Sequence, residues 1–487
     1  MNEEFQSLRA RLRLSALLFL ACLAGCGSRE TAAPEQGHAH SAALEIVVVD
    51  DAGLARAIDA LRAEWKARSG GNLSVVQKSS AEVVAESASL GHADAVIYPS
   101  SQLGALAEGK LIVPLPADYQ TNEELAWSDT FELVQIAETR WCQEPWAVSF
   151  GPALLTCYYR ADLFEKFRKR PPRTWAEYHE LAAFFAKREN LAGFDPPENW
   201  SGTIEPLAPA WKALVLLARA AAYAKHRDHF STLWKMDSME PLIAGAPFVR
   251  ALEEMVADAV AGPNDAASLD PLAAGQRFLE GKAALALAIP THVAPGASRD
   301  QPPPPAIGYA ELPGSSQVYN ISNSTWEKRP EGESELVPLL GFSGRLGSVT
   351  SGSSSPADAF QLLAWLSGRE WGATVSRASS ATSLYRRSQL VAPQGWVDPL
   401  MPLESARQYA EVERDAMTRQ AFLFVPRIPG GPRYLEALEA AVGDALAGKK
   451  SPADALGHCA DEWRKITAEL GVESQAAAYR CSLGLER

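Results

Sequence analysis

Residues 44–53 read Leu44-Glu45-Ile46-Val47-Val48-Val49-Asp50-Asp51-Ala52-Gly53. The first six carry one charge among apolar, mostly β-branched side chains, the composition of a strand covered on both faces. Asp50 to Gly53 break the run. Leu54, Ile58, Leu61 and Trp65 then recur at helical spacing until Ser69-Gly70-Gly71 stops the helix. Residues 73–77 make a second apolar strand and residues 94–98 a third, which turns at Pro99-Ser100-Ser101 into a short helix and an edge segment, 111–115. Strand, helix, strand, helix, strand predicts parallel pairing through right-handed crossovers, and so an α/β fold. Such sheets bind ligands beyond the carboxyl ends of their strands. That rule singles out Asp50 and Asp51 after the first strand, and Tyr98, Ser100 and Ser101 after the third.

Upstream of this unit the chain carries an export signature. Arg9, Arg11 and Arg13 precede an apolar run, 14–24, and residues 1–25 read as a secretory signal peptide. The run is shorter than the about 20 apolar residues that a spanning helix needs. It ends in Leu23-Ala24-Gly25-Cys26, which resembles the bacterial lipobox. The resemblance implies that Cys26 is acylated and that the mature chain is anchored to a membrane at the cell envelope, on its periplasmic face. Residues 26–43 are small and polar, a flexible tether whose ends would sit roughly 20 Å apart. His38 and His40 lie inside it and are read as solvated side chains.

Bulk composition narrows the function. A formal net charge of −13 over 487 residues argues against nucleic acid as a partner, because phosphate binding takes basic patches. Hydrophobic residues at 47% and charged residues at 22% are those of a globular chain with a large core, long enough for two or three domains. Four cysteines remain after Cys26: Cys142, Cys157, Cys459 and Cys481. In an exported protein they allow two disulfides, with Cys142–Cys157 and Cys459–Cys481 the pairing that closes the shortest loops; four free thiols are the alternative.

The middle of the chain repeats the alternation. Thr174 and Glu177 have capping-box spacing ahead of an apolar helix. Residues 210–223 read as a buried Ala-rich helix, 247–261 and 270–280 as amphipathic helices, and 283–289 as a small-residue strand. A proline-rich loop, 301–305, precedes Gly308-Tyr309. Helices are predicted near the end over 435–447 and 452–470. Trp65, Trp175, Trp365 and Trp463 sit at helical spacing and are read as core. No Gly-x-Ser-x-Gly elbow, His-Glu-x-x-His helix or Walker-type loop is present in the sequence. His226 and His229 are three apart on a helix-like stretch and are read as solvated.

Several segments, in order, resemble a known family. They are Asp94-Ala-Val-Ile-Tyr98-Pro-Ser100, Leu106-Ala-Glu-Gly-Lys-Leu-Ile112, Tyr158-Tyr159-Arg160-Ala-Asp162-Leu-Phe164, and Pro171-Pro-Arg-Thr174-Trp175-Ala-Glu177-Tyr178. Gly281-Lys282, Gly308-Tyr309 with Leu312-Pro313, Gly344-Arg345-Leu346-Gly347 and Pro356-Ala-Asp-Ala-Phe360 follow. Together they resemble the carbohydrate-type extracellular solute-binding proteins of bacterial ABC importers, related to maltose-binding protein. The resemblance implies a periplasmic-binding-protein-like type II fold, with two α/β lobes of mixed or parallel sheets joined by hinge strands. Lobe I would comprise 44–151 plus 306–370, and lobe II 152–305 plus 371–487. It implies a monomer that binds a small solute, most simply a sugar, closes by hinge motion and delivers it to permease subunits. No cofactor, metal or bond chemistry is implied.

The same resemblance assigns cleft residues. Asp50 and Asp51 would accept sugar hydroxyls, although aspartate also fills a helix N-cap and one of the two is expected to do so. Tyr98 and Ser101 match an aromatic and a polar position, with strand-end core the alternative for Tyr98. Ser149 and Phe150 precede the first crossover. Trp200 is a stacking platform. Thr291 falls where some relatives carry tryptophan, and His292 beside it is expected to line the cleft. Phe342, Ser343 and Arg345 belong to a glycine-flanked turn in which Arg345 forks onto hydroxyls or pairs with a neighbouring acid. The polar loop 376–382 is a further cleft-facing segment. Two alternatives stand beside this reading: a ferric-ion-binding protein of the same superfold using Tyr158 and Tyr159, and a non-transport sensor or scaffold lipoprotein.

Overall fold

In the computed structural model, which describes residues 43–85, 90–289, 305–397 and 401–486, β1 (Leu44–Val49) is flanked by two parallel partners. It pairs with β2 (Leu73–Lys78), Leu44 opposite Leu73, and with β3 (Ala95–Pro99), Ile46 opposite Ala95. Both faces of β1 are covered. Val47 and Val49 enter one apolar cluster, and Ile46 and Val48 enter another with Leu362, Leu363 and Trp365 of the helix Pro356–Ser367. The short hairpin β4 (Arg140–Trp141) and β5 (Glu144–Pro145) leads into β6 (Val148–Gly151). The chain then crosses to a second sheet through β7 (Thr156–Arg160).

β7 sits in that sheet with β8 (Ser201–Ile204), β9 (Ala283–Ala288) and β10 (Ile307–Glu311), in the order β10-β7-β9-β8. β8 runs parallel to β9, and the other pairings are antiparallel. A hairpin of β11 (Gln317–Asn320) and β12 (Thr325–Lys328) follows. β13 (Leu339–Leu340) leads to β14 (Arg345–Val349), which returns to the first sheet between β3 and β6, antiparallel to both. β15 (Leu423–Phe424) pairs with β13. The first sheet therefore reads β2-β1-β3-β14-β6, a mixed sheet with the predicted parallel unit at one side.

Two segments lie on the other side from their predicted lobe. β10 was expected with the first lobe but pairs with β7, Tyr309 opposite Tyr158, because its Ile307 and Tyr309 complete the apolar face formed by Tyr158 and Phe278. The loop 376–382, expected with the second lobe, packs on the first sheet's edge, where the carbonyl of Ala378 faces Gly53 and Thr382 faces Gly151.

The predicted helices form with small shifts: Trp175–Ala186 with both arms of the Thr174/Glu177 capping box, Lys212–Ala224, Ala246–Ala259, Pro271–Leu279, Gly431–Leu446 and Pro452–Leu470. Trp463 stacks on Trp234 at 4.6 Å. Arg219 is fully buried between Glu205 and Asp258, at 2.6 and 2.7 Å. The last helix, Val472–Ser482, packs on Leu103–Glu108 and β4. Among the described residues no helix is long and apolar enough to cross a membrane.

The disulfide pairing differs from the shortest-loop expectation. Cys142 bonds to Cys481, 339 positions away, whereas Cys157 and Cys459 are free and buried. Cys157 points from β7 into the core, and Cys459 lies inward on its helix, so neither can reach the predicted partner. His226 and His229, read as solvated, are tied down instead: His226 is buried against Glu327 at 3.2 Å and His229 meets Asn320 at 3.1 Å. Their acceptors come from the β11–β12 hairpin, about ninety residues on, which local sequence does not reveal.

Candidate functional site

The carboxyl ends of β1, β2 and β3 bring a polar cluster together. Asp50 ends β1 with φ at +50°, a left-handed turn that aspartate tolerates. Its carboxylate accepts from the Ser80 backbone N–H at 3.1 Å and from the Ser80 hydroxyl. Gln102 donates to the same hydroxyl from beyond β3. Asp51 is the N-cap of helix Ala52–Asp59, accepting from Leu54 N–H at 2.9 Å. It also accepts from Ser379 and pairs with Arg345 Nε at 3.0 Å. One aspartate caps and its neighbour stays exposed, the split that the paired acids suggested.

Arg345 enters from β14. Its Nη2 donates to the Asp50 carbonyl at 2.9 Å and its Nη1 to the Ser343 carbonyl. Burial pushes the guanidinium below its ordinary value, and Asp51 and then Asp50 pull it back. The fork is thus engaged by protein groups and holds both aspartates in place. Ser101, Ser343 and the outer oxygens of Asp50 are the partly open polar groups at this edge. Phe342 is buried and meets Trp211 edge-to-face at 6.2 Å, which joins this turn to the start of helix Lys212–Ala224.

Other predicted residues take up structural positions. Tyr98 is fully buried; its hydroxyl bonds Ser348 Oγ at 2.7 Å, and desolvation pushes its pKa up. The strand-end-core alternative describes it. Ser100 is also buried, its backbone N–H donating to the Gly344 carbonyl at 2.9 Å. Ser149 Oγ accepts from Gly151 N–H at 3.1 Å, and Phe150 is core beneath Gly347. Trp200 donates to the Phe185 carbonyl at 2.8 Å and packs edge-on to Phe194, a framework role at the start of β8. Thr291, His292 and Cys26 lie outside the described residues.

Sequence reasoning missed Ser80, Gln102 and Trp211, whereas Ser379 lies in the polar loop 376–382 that it singled out. Ser80 was within reach of the carboxyl-end rule, which was applied after the first and third strands but not after the second. It also missed Glu138 and Arg427, two buried charged residues whose link is the Glu138 backbone carbonyl. Arg427 donates to the carbonyls of Ala137, Glu138, Arg140 and Ser482 and lies 3.6 Å over the Phe424 ring. Burial raises Glu138 to about 7 and lowers Arg427 to about 9, each opposed by the other's charge. The group fastens the crossover region to the C-terminal segment.

The ferric alternative fails on strand geometry. Successive strand residues face opposite sides of a sheet. Tyr158 accordingly packs with Phe278 and Tyr309, whereas Tyr159 packs with Phe164 and accepts from Gln408 at 2.9 Å. Two phenols on opposite faces cannot converge on one ion.

The bacterial extracellular solute-binding protein family matches residues 60–383, the stretch that contains both sheets' crossovers. No curated protein sequence matches. Solved structures share the fold at low identity. An ABC transporter solute-binding protein from Agrobacterium radiobacter K84, in complex with ribitol, has TM-score 0.63 at 19% identity, covering 87% of this chain and 98% of its own. Maltose-bound MalE3 of T. maritima has TM-score 0.63 at 18% identity, covering 87% and 99%. The sugar-binding protein MalE of Xanthomonas citri has TM-score 0.65 at 17% identity, covering 88% and 98%. These are type II periplasmic-binding-protein-like folds built for binding rather than catalysis, with the same two-sheet plan. On the match across 60–383, this chain belongs to the bacterial extracellular solute-binding protein family.

Proposed function

We propose that this protein captures a polyhydroxylated solute, a sugar or sugar alcohol, at the carboxyl-end cluster and delivers it to an ABC permease. The observation that carries the reading is the cluster itself: Asp50, Ser80, Ser101, Gln102 and Ser343 gather carboxylate, hydroxyl and amide groups at one sheet edge. A carboxylate accepts from two vicinal hydroxyls at once, and an amide both donates and accepts, which suits a polyol rather than an ion. Arg345 and Asp51 act as positioning residues. The ribitol and maltose bound by the similar structures support the substrate class.

Solute would enter between the two sheets and be enclosed by rotation about the crossovers at 151–156 and 312–344, and Thr291 and His292 are proposed as further ligand residues. Acylated Cys26 would hold the body near its permease at the membrane face. The test is a thermal-shift screen of the mature protein against ribitol, mannitol, maltose and ferric citrate, with Asp50→Ala as control. Ligand at 100 times its dissociation constant stabilises by about 2.7 kcal/mol. A polyol or sugar shift abolished by Asp50→Ala supports the reading; a shift untouched by that change, or no shift, refutes it.

A further inference from the structure

We propose that a cavity at the end of helix Lys212–Ala224 is a second ligand site, shaped for a small aromatic carboxylate. The cavity measures about 650 Å³ and shares no lining residue with the carboxyl-end cluster. That volume lies in the ordinary range for small-molecule pockets, roughly 300–1,000 Å³. Its chemistry is specific in three respects.

The first is charge. Lys225, Arg227 and Arg419 line it with a single acid, Glu333, in a protein whose net charge is −13. Arg419 is paired with Glu311, and Glu333 is taken by Arg329 and, at 3.7 Å, by Arg227. Lys225 has no carboxylate within 4 Å among the described residues; its ammonium donates to the Phe230 carbonyl at 3.2 Å. Burial lowers its pKa without an acid to counter it. A half-buried cation lacking a counter-ion is costly, and an incoming carboxylate would neutralise it.

The second is an unpartnered hydroxyl. Thr232, two residues beyond the carbonyl that anchors Lys225, lines the cavity, is 5% exposed, and has no hydrogen-bond partner at Oγ1. A buried hydroxyl left without a partner has lost its water without return, and a ligand oxygen would restore the bond. Its loop is held rigid by Tyr479, whose hydroxyl accepts from the N–H groups of Thr232 and Leu233 at 3.3 and 3.2 Å. The third is the wall. Phe422, Leu423, Val425 and Tyr479 supply apolar surface, and Phe230 stands at the same site with 66% of its surface exposed. A cation and a hydroxyl seven residues apart in one cavity with aromatic and aliphatic walls suit an anionic head on a flat apolar body.

The experiment is calorimetric titration of the full mature chain with phenylacetate and with its uncharged isostere phenylacetamide. Phenylacetate is expected to bind at least tenfold tighter than the amide. Lys225→Met should remove that preference, Thr232→Val should weaken both ligands, and Ala421→Trp, which fills the cavity, should abolish both. Saturating the protein with its sugar or polyol should leave phenylacetate affinity unchanged, so failure here is separable from failure of the transport reading. Absence of phenylacetate binding at millimolar concentration, equal affinity for acid and amide, or binding unchanged in folded Lys225→Met and Ala421→Trp proteins would overturn the proposal.

Discussion

Breaking the Cys142–Cys481 bond is expected to lower stability by several kilocalories, although it joins only a short hairpin to the last helix. The bond closes a span of 339 positions. In the chain-entropy treatment a loop of that length removes about 5–6 kcal/mol of unfolded-state freedom, an upper value because measured effects fall at roughly 2–5 kcal/mol. With an unfolding entropy of about 2.1 cal/mol/K per residue, a body of this size loses about 1 °C of Tm per kcal/mol. Reduction, or Cys142→Ser, should therefore lower Tm by about 2–5 °C. Cys481→Ser and the double variant should match it, because either change removes the same bond. Differential scanning fluorimetry with and without reductant reads the shift, and non-reducing proteolysis with mass mapping reads the pairing. Cys157 and Cys459 should resist alkylation until the protein unfolds; burial pushes the Cys459 thiol up to about 12. A Cys142–Cys157 or Cys459–Cys481 peptide, or a Tm indifferent to reductant, would refute the reasoning.

Asp51→Asn keeps an N-cap acceptor but leaves Arg345 buried without its charge partner, so it should cost about 3–5 kcal/mol in urea unfolding and weaken solute binding through Asp50. Glu413 is buried between the hydroxyls of Ser383 and Thr156, with Glu311 nearby, and desolvation raises its pKa to about 8. A raised folded-state pKa means that its stabilising contribution is full below the unfolded value of 4.5 and is lost as pH climbs through about 8. Glu413→Gln should accordingly gain stability over the parent at pH 8–9 relative to pH 4–5; a difference constant across that window would count against the assignment. Gly53→Ala would place a Cβ 2.2 Å from the Ala378 carbonyl oxygen. It should displace the loop carrying Ser379, cost about 1–3 kcal/mol, and lower solute affinity in titration; unchanged affinity would separate that loop from the site.

The fold was legible where one element's own pattern decides it. A five-of-six apolar strand requires cover on both faces, and the clusters on either side of β1 supply it. Helix limits followed from caps, as at Thr174 and Glu177, because the capping bonds are local. Legibility fell away where the partner is distant. The segment of β10 was expected with the first lobe, but its sheet is set by Tyr309 packing against Tyr158. The cysteines show the same limit: short loops favour local pairs, yet Cys157 is committed to the core by strand alternation and Cys459 by helix phase, which leaves Cys142 and Cys481 to meet.

The site lies between these cases. Asp50 and Asp51 were found because the carboxyl-end rule needs only the strand that precedes them. Their roles were not, because Arg345 reaches them from 295 and 294 positions away in sequence, and Ser379 from further still. Of the two readings the sequence left open at Arg345 and Asp51, the acid pair and the N-cap are the ones that form, and together they make a brace. With Arg345 occupied on Asp51 and on the Asp50 backbone, the outer oxygens of Asp50 are held at the edge beside Ser80 and Gln102. A carboxylate fixed by neighbours that it does not have to release loses little freedom on binding. On the proposed reading, the acid that looks redundant in the sequence is the one that prepares its neighbour for hydroxyl recognition.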